Sequence, residues 1–330
     1  MADSALVNAW YRGAAWLWLL RPLELLYRVL ASLRRTAFRR GVFSVYRCPR
    51  PVVVVGNITA GGTGKTPVVI TLVNALQQAG LRPGVVSRGY GGRAPAYPVV
   101  VDKNSDPGEC GDEPLLIHMA TGSPVVVDPD RTRAARTLLD RFDIDLVISD
   151  DGLQHYALAR DYELVLVDGE RGLGNGWCLP AGPLRESATR LESVDAVVYR
   201  GGEQQGASFR YEPVGLTRLV DGEQRALDPA LVGSEVYAVA GIGQPEQFFA
   251  MLESAGFRLH RRSFPDHHRF VAADFKDMTG LPVIMTEKDA VKCAHLAGPE
   301  AWSLGIRVDL PPAIIAQVCR LADTDGVPPG

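Results

Sequence analysis

Apolar positions along this chain fall into two rhythms. Between residues 52 and 200, short runs of β-branched and aliphatic residues alternate with stretches whose apolar positions recur every three or four residues. The runs at 52–55, 84–87, 99–102, 124–128, 146–149, 163–167 and 195–199 read as strands. The periodic stretches at 68–79 (stopped by Gly80), 111–120 and 130–142 read as helices. Strands alternating with helices predict an α/β fold with a mostly parallel sheet and helices on both faces.

The rhythm changes near residue 203. Residues 208–225 alternate polar and apolar around Val220-Asp221-Gly222, the pattern of a β-hairpin. Residues 236–240, a glycine turn and a helix over 245–256 then begin a second, smaller α/β unit, with 282–286 as its last clear strand. Four segments are expected: an N-terminal segment over 1–41, a core domain over 42–205, a hairpin linker over 206–227 and a smaller α/β domain over 228–330. A hairpin linker would let the two units close over a cleft.

The N-terminal segment is unusual. Residues 14–20, Ala-Ala-Trp-Leu-Trp-Leu-Leu, are apolar but stop at Arg21-Pro22, too short to span a bilayer. They lack the basic start and small-residue cleavage site of a secretory signal. Beyond Pro22, Leu26, Val29, Leu30, Leu33 and Ala37 form a stripe at helical spacing, with Arg28, Arg34, Arg35, Arg39 and Arg40 elsewhere on the helix. Such a helix can lie in a membrane interface or pack its stripe on its own domain. Trp16 and Trp18 favour the interface.

Charge sharpens the contrast. The chain carries 35 Lys and Arg against 38 Asp and Glu, net −3, which argues against a general nucleic-acid binder. Seven arginines against Asp3 and Glu24 give residues 1–41 a charge of +5, so the remainder carries −8. At 330 residues and 46% apolar the chain can bury a full core. Five cysteines without C-x-x-C spacing suggest neither a zinc knuckle nor a disulfide framework, and a reducing compartment fits.

The chemistry concentrates after the first strand. Val52–Val55 runs into a loop holding Gly56, Gly61, Gly62 and Gly64, then Lys65-Thr66, then a helix. This is the order of a phosphate-binding loop, although Thr59 stands where the strict pattern has its first glycine. Its backbone N–H groups turn toward a polyphosphate, Lys65 reaches the β- and γ-phosphates, and the Thr66 hydroxyl suits Mg²⁺. Asp150 and Asp151 follow a buried strand, where a carboxylate can hold Mg²⁺ opposite Thr66. Asp112 and Glu113 begin a helix, where capping is the plain alternative. Phe264-Pro265-Asp266-His267-His268-Arg269 is a polar cluster in which a histidine beside a carboxylate could take a hydroxyl proton.

Taken together, Gly56-Asn57…Gly61–Thr66, Ser87–Tyr90, Gly111–Glu113, Asp150–His155, Leu179–Glu186, Phe264–His267 and Thr286–Asp289 resemble the tetraacyldisaccharide 4′-kinases over nearly the whole chain. The resemblance implies a P-loop NTPase-like core and an ATP- and Mg²⁺-dependent kinase of lipid A biosynthesis. Its acceptor would be an acylated disaccharide lipid at the cytoplasmic face of the Gram-negative inner membrane, with no nucleic acid partner and a monomeric enzyme. It implies that Thr59, Ala60, Gly61, Gly62, Thr63, Gly64, Lys65 and Thr66 bind ATP. Asp112 and His267 match the pair that activates the 4′-hydroxyl. Glu113, Asp150, Asp151, Gln154 and His155 match residues around the metal and phosphates. Thr66, Glu113, Asp150 and Asp151 are assigned to the metal; Gln154, His155 and Asn175 are assigned to the substrate. Arg88, planar and permanently cationic, suits transition-state charge beside Lys65.

A membrane-associated P-loop ATPase without sugar-kinase activity is the alternative, but its deviant loops carry Lys where this chain has Ala60. A non-catalytic nucleotide-binding module would need neither Asp112 nor His267.

Overall fold

A computed structural model describes residues 2–61, 64–201 and 206–323. The chain forms two compact units. The first holds the residues up to Arg88, then Ser123–Arg210, then those from Leu310 on; the second holds Gly89–Gly122 and Tyr211–Asp309.

In the first unit, strands β1 (Val52–Asn57), β2 (Pro83–Ser87), β3 (Val125–Val127), β4 (Leu146–Asp150), β5 (Tyr162–Asp168), β6 (Ala196–Arg200) and β7 (Ala207–Phe209) lie in the order β3-β2-β4-β1-β5-β6-β7. The pairings between them are parallel. β1 is buried along its whole length, which is why its sequence is a valine run rather than an alternation. Each such valine contributes about 1.5–3 kcal/mol by leaving water. β4 and β5 flank β1, so the sheet reverses its winding there. Val55 sits opposite Asp150, which sets the glycine loop beside the paired aspartates at the carboxyl ends of the strands.

The second unit contains a mixed sheet of β8 (Tyr211–Arg218), β9 (Gln224–Arg225), β10 (Glu235–Ala240), β11 (Arg258–Ser263), β12 (Val283–Thr286) and β13 (Ala301–Val308), in the order β9-β8-β13-β12-β10-β11. β10 to β13 pair in parallel; β8 runs antiparallel to β13 and β9. Trp302, Phe248, Phe249 and Leu252 form the centre of its core.

Three expectations are corrected here. The hairpin is not a linker: β8 pairs with β13 from Arg218 opposite Trp302 to Tyr211 opposite Val308, inside the second sheet. Residues 282–286 are not the last strand, because Ala301–Val308 follows; Gly305 and Arg307 interrupt the apolar run that would have marked it. The helix Asp112–Thr121 belongs to the second unit rather than to the core, packing against the helix Glu287–Cys293. Local periodicity announces a helix but carries no record of which sheet it joins.

The N-terminal segment is part of the first unit. Trp10 and Leu17 are buried against Ala60, Trp177 and Leu179, and the Trp10 indole donates to the Pro180 carbonyl at 3.0 Å. The helix Arg21–Arg39 turns Glu24 and Tyr27 toward the protein. Buried Glu24 accepts from Arg21 (2.7 Å) and from the Cys178 N–H (3.3 Å). The Tyr27 hydroxyl donates to the Arg185 carbonyl (2.9 Å) and Arg34 to that of Gln154 (3.2 Å). Leu23, Leu26, Val29, Leu30 and Leu33 stay 53–60% exposed, so the apolar stripe does not pack on its own domain. No helix of the described residues is long and apolar enough to cross a membrane.

Candidate active site

One cluster of candidate site residues lies in each unit. In the first, Asn57 closes β1 and staples the loop that follows. Its amide donates to the carbonyls of Thr59 (2.8 Å) and Gly61 (3.4 Å), and its Oδ1 accepts from Lys65 Nζ (3.3 Å). The start of the loop is pinned from the far side. Ala60 N–H donates to the Pro183 carbonyl and Arg185 N–H to that of Ile58, both at 2.7 Å. Gly64 stands at φ +77° as the helix Lys65–Gln78 begins, a conformation that glycine adopts without penalty. Thr66 is buried in the first turn. Gly62 and Thr63 lie outside the described residues.

At the end of β4, Asp150 accepts from the Ser87 hydroxyl at 3.0 Å. Asp151 turns into the left-handed region at φ +47°. Buried Arg131 spans the turn, donating to the carbonyls of Asp150 (3.3 Å) and Asp151 (3.4 Å). The Asp151 carboxylate faces Lys65 at 3.4 Å and Arg185 at 3.1 Å. Burial alone would raise this carboxyl; those two cations outweigh it and hold Asp151 below the usual carboxylate range. Burial and the nearby Arg131 bring His155 down to about 4, so its imidazole is neutral at physiological pH. Gln154 braces its own loop, donating to Glu186 (2.9 Å) and to the Asn57 carbonyl (3.3 Å). Arg88 is exposed just past β2.

The Asn175 side chain knits the 175–182 turn, donating to the Ala181 carbonyl (2.8 Å) and accepting from the Trp177 N–H (3.1 Å). A Cβ at Gly182 would meet Asn175 Oδ1 at 2.3 Å, so the turn needs glycine there. The oxygens of Thr66, Asp150 and Asp151 are the hard donors that suit Mg²⁺. Asp151 is already engaged by two cations, which leaves Thr66 and Asp150 as the better fit.

The second cluster centres on buried Asp112 at the start of its helix. His267 Nδ1 lies 3.1 Å from each Asp112 carboxylate oxygen. The catalytic pair was expected to draw on two different domains; both members belong to the second unit. His267 sits at φ +59°, with the Tyr90 ring 5.0 Å away. Burial would raise Asp112, but the His267 hydrogen bond and Lys288 dominate and keep it below its ordinary value. Burial and Lys288 would lower His267, but Asp112 prevails and raises it above 6.5. Glu113 accepts from Lys288 Nζ at 2.9 Å. His268 is structural: it bonds Asp274 at 2.9 Å and stacks on Phe264. A cavity of about 200 Å³ opens beside the pair, lined by Tyr90, Asp112, His267, Arg269, Phe270 and Lys292 among others.

Asn57, Arg131, Arg185, Asp266 and Lys288 make contacts that local sequence pattern does not announce. All but Arg131 stood inside recognised motifs, so the signal was present without a function attached. Arg131 looked like an ordinary residue of a helix start.

A glycine loop between a buried parallel strand and a helix, with a lysine facing an aspartate just past the neighbouring strand, defines a P-loop nucleotide-binding protein. The histidine–carboxylate pair lies beside an open cavity in the second unit. The family model described as Tetraacyldisaccharide-1-P 4'-kinase matches residues 16–323. A tetraacyldisaccharide 4'-kinase of Pseudomonas aeruginosa is 51% identical over 94% of this chain and 95% of its own length. One of Azotobacter vinelandii is 53% identical over 91% of each. The chain belongs to the tetraacyldisaccharide-1-P 4'-kinase family. The crystal structure of LpxK from Aquifex aeolicus, described as in complex with ATP, is similar at a TM-score of 0.79 and 28% identity, covering 92% of this chain and 99% of that one.

Proposed function

We propose that this protein transfers the γ-phosphoryl group of ATP to the 4′-hydroxyl of a tetraacyl glucosamine disaccharide 1-phosphate, giving lipid IVA. The observation that carries this reading is the His267–Asp112 pair at 3.1 Å in a chain that also holds a phosphate loop. Asp112 fixes the imidazole through Nδ1, which leaves Nε2 to accept the hydroxyl proton, the logic of an oriented general base. Lys65 and the loop N–H groups bind the β- and γ-phosphates, and exposed Arg88 is available for charge on the transferring group. When bound, Mg²⁺ supplies further charge neutralisation; Thr66 and Asp150 would hold it. Glu113 we assign to its Lys288 partner rather than to the metal. Gln154 keeps the 154–155 loop against β1, and neutral His155 offers a hydrogen bond without charge. Asn175 we assign to shaping its turn rather than to direct substrate contact.

The acceptor's acyl chains belong in a bilayer, which supports work at a membrane surface, the cytoplasmic face of the inner membrane in this reading. The outward leucine stripe of helix Arg21–Arg39 and its flanking arginines support docking there without spanning. The deciding experiment is incubation with ATP, Mg²⁺ and a monophosphorylated acylated glucosamine disaccharide in detergent. Mass spectrometry should show the lipid gaining one phosphate. ADP release with an unchanged lipid would instead favour an ATPase without sugar-kinase activity.

A further inference from the structure

Lys288 has no part in the chemistry above, yet its ammonium is where three carboxylates of the second unit meet. Nζ donates to Glu113 Oε1 at 2.9 Å and to Asp266 Oδ1 at 3.2 Å, and lies 3.8 Å from Asp112 Oδ2. These acceptors come from segments far apart in the chain: the helix that opens at Asp112 and the 264–269 loop. The loop contact bears directly on His267. The Asp266 oxygen that takes Lys288 also accepts the His267 backbone N–H, at 3.1 Å. His267 holds φ +59°, a conformation that residues other than glycine keep only under local constraint.

The other ammonium near the pair is spent elsewhere. Lys292 Nζ is 3.9 Å from Asp112 but 2.7 Å from Asp289. Asp289 is in turn held by the Gly241 N–H (2.8 Å) and the Thr286 hydroxyl (2.7 Å). Lys288 is thus the cation shared by the Asp112 side and the His267 side.

We propose that Lys288 is a positioning residue for phosphoryl transfer, its ammonium cross-linking the Asp112 helix start to the Asp266–His267 turn so that imidazole and carboxylate stay in register. This rests on the reading of Asp112 and His267 as the proton-accepting pair. Lys288 acts through His267 and touches no reacting atom. A general base displaced by about 1 Å can cost on the order of 10²-fold in rate without weakening ground-state binding.

The test is steady-state kinetics with ATP, Mg²⁺ and the acylated disaccharide in detergent. Lys288→Met keeps the apolar stem and removes the charge. It should lower kcat by on the order of 10²-fold while each KM changes less than about threefold. Lys288→Arg should recover kcat to within about tenfold, because a guanidinium can also bridge carboxylates. The double variant His267→Ala/Lys288→Met should be no slower than His267→Ala alone. Losses that multiply would mean that the lysine acts independently of the histidine, and would overturn the proposal. Wild-type kcat in Lys288→Met beside an impaired His267→Ala overturns this inference alone, whereas wild-type turnover in His267→Ala overturns the reading beneath it. If Lys288→Met gives no cooperative melt, Asp266→Asn on the exposed loop carries the same expectation at about tenfold in kcat. Wild-type kcat there overturns the proposal equally.

Discussion

Asp151 and His267 are, among the described residues, the non-glycine positions whose backbone lies in the left-handed region. Each such departure costs on the order of 1–3 kcal/mol and persists only where its surroundings enforce it. Arg131 encloses the first turn and Asp266 the second. If His267 is the general base, His267→Ala and Asp112→Ala should each lower kcat by roughly 10²–10⁴-fold. Undiminished turnover at saturating substrate would remove both from the mechanism. The pH dependence has a definite direction. Because Asp112 raises His267 above 6.5, kcat should fall as pH drops through a midpoint higher than an ordinary imidazole's, and Asp112→Asn should move that limb to lower pH. The same raised value means that protonated His267 adds stability at pH below 6.5, lost as pH rises through its folded-state value. Thermal melts of wild type and His267→Ala across that window should therefore converge as pH rises.

At the scale of elements, the β1–loop–helix unit is the most legible part of the chain. A strand buried on both faces has to be a β-branched run, and a loop that wraps phosphate has to be rich in glycine, so both requirements are written locally. Gly64→Ala tests the loop directly. An alanine at φ +77° costs roughly 1–2 kcal/mol, so ATP affinity measured by calorimetry should fall about tenfold. An unchanged Kd would mean that the left-handed turn does not shape the phosphate site. The hairpin was legible as a hairpin for the same local reason, but its partner β13 lies some ninety residues on by number and left no mark near it. The Asp112–His267 contact spans 155 positions and became visible only through the family resemblance. The contacts of Arg131, Arg185 and Lys288 also join distant segments, and no spacing rule predicts such pairs.

At the scale of the molecule, the N-terminal helix is amphipathic in an inverted sense: Glu24, Tyr27 and Arg34 bond to the first unit while the leucines face outward. Tyr27 reaches the Arg185 carbonyl while the Arg185 side chain pairs with Asp151, so the outward-facing helix is one residue removed from the Lys65–Asp151 pair. Removing residues 1–40 would strip Trp10, Leu17 and Glu24 from buried positions, so point substitutions are the cleaner test. The triple variant Leu26→Glu/Leu30→Glu/Leu33→Glu should melt close to wild type, since all three leucines are exposed. Each leucine withheld from lipid forfeits about 1.5–3 kcal/mol, so partition to anionic vesicles should drop more than about a hundredfold. Equal sedimentation of variant and wild type with vesicles would rule out docking through this face.

By itself the sequence determined the parallel α/β core, the glycine loop, the aspartates at the end of β4 and an amphipathic N-terminus, because each depends on neighbours within a few residues. Only the tertiary structure decided which unit receives the Asp112 helix, that the hairpin completes the second sheet, which way the leucine stripe faces and which cations stand against Asp151 and Asp112. Those outcomes depend on side chains meeting across long stretches of chain, where burial and charge pairing choose the partner and local pattern is silent.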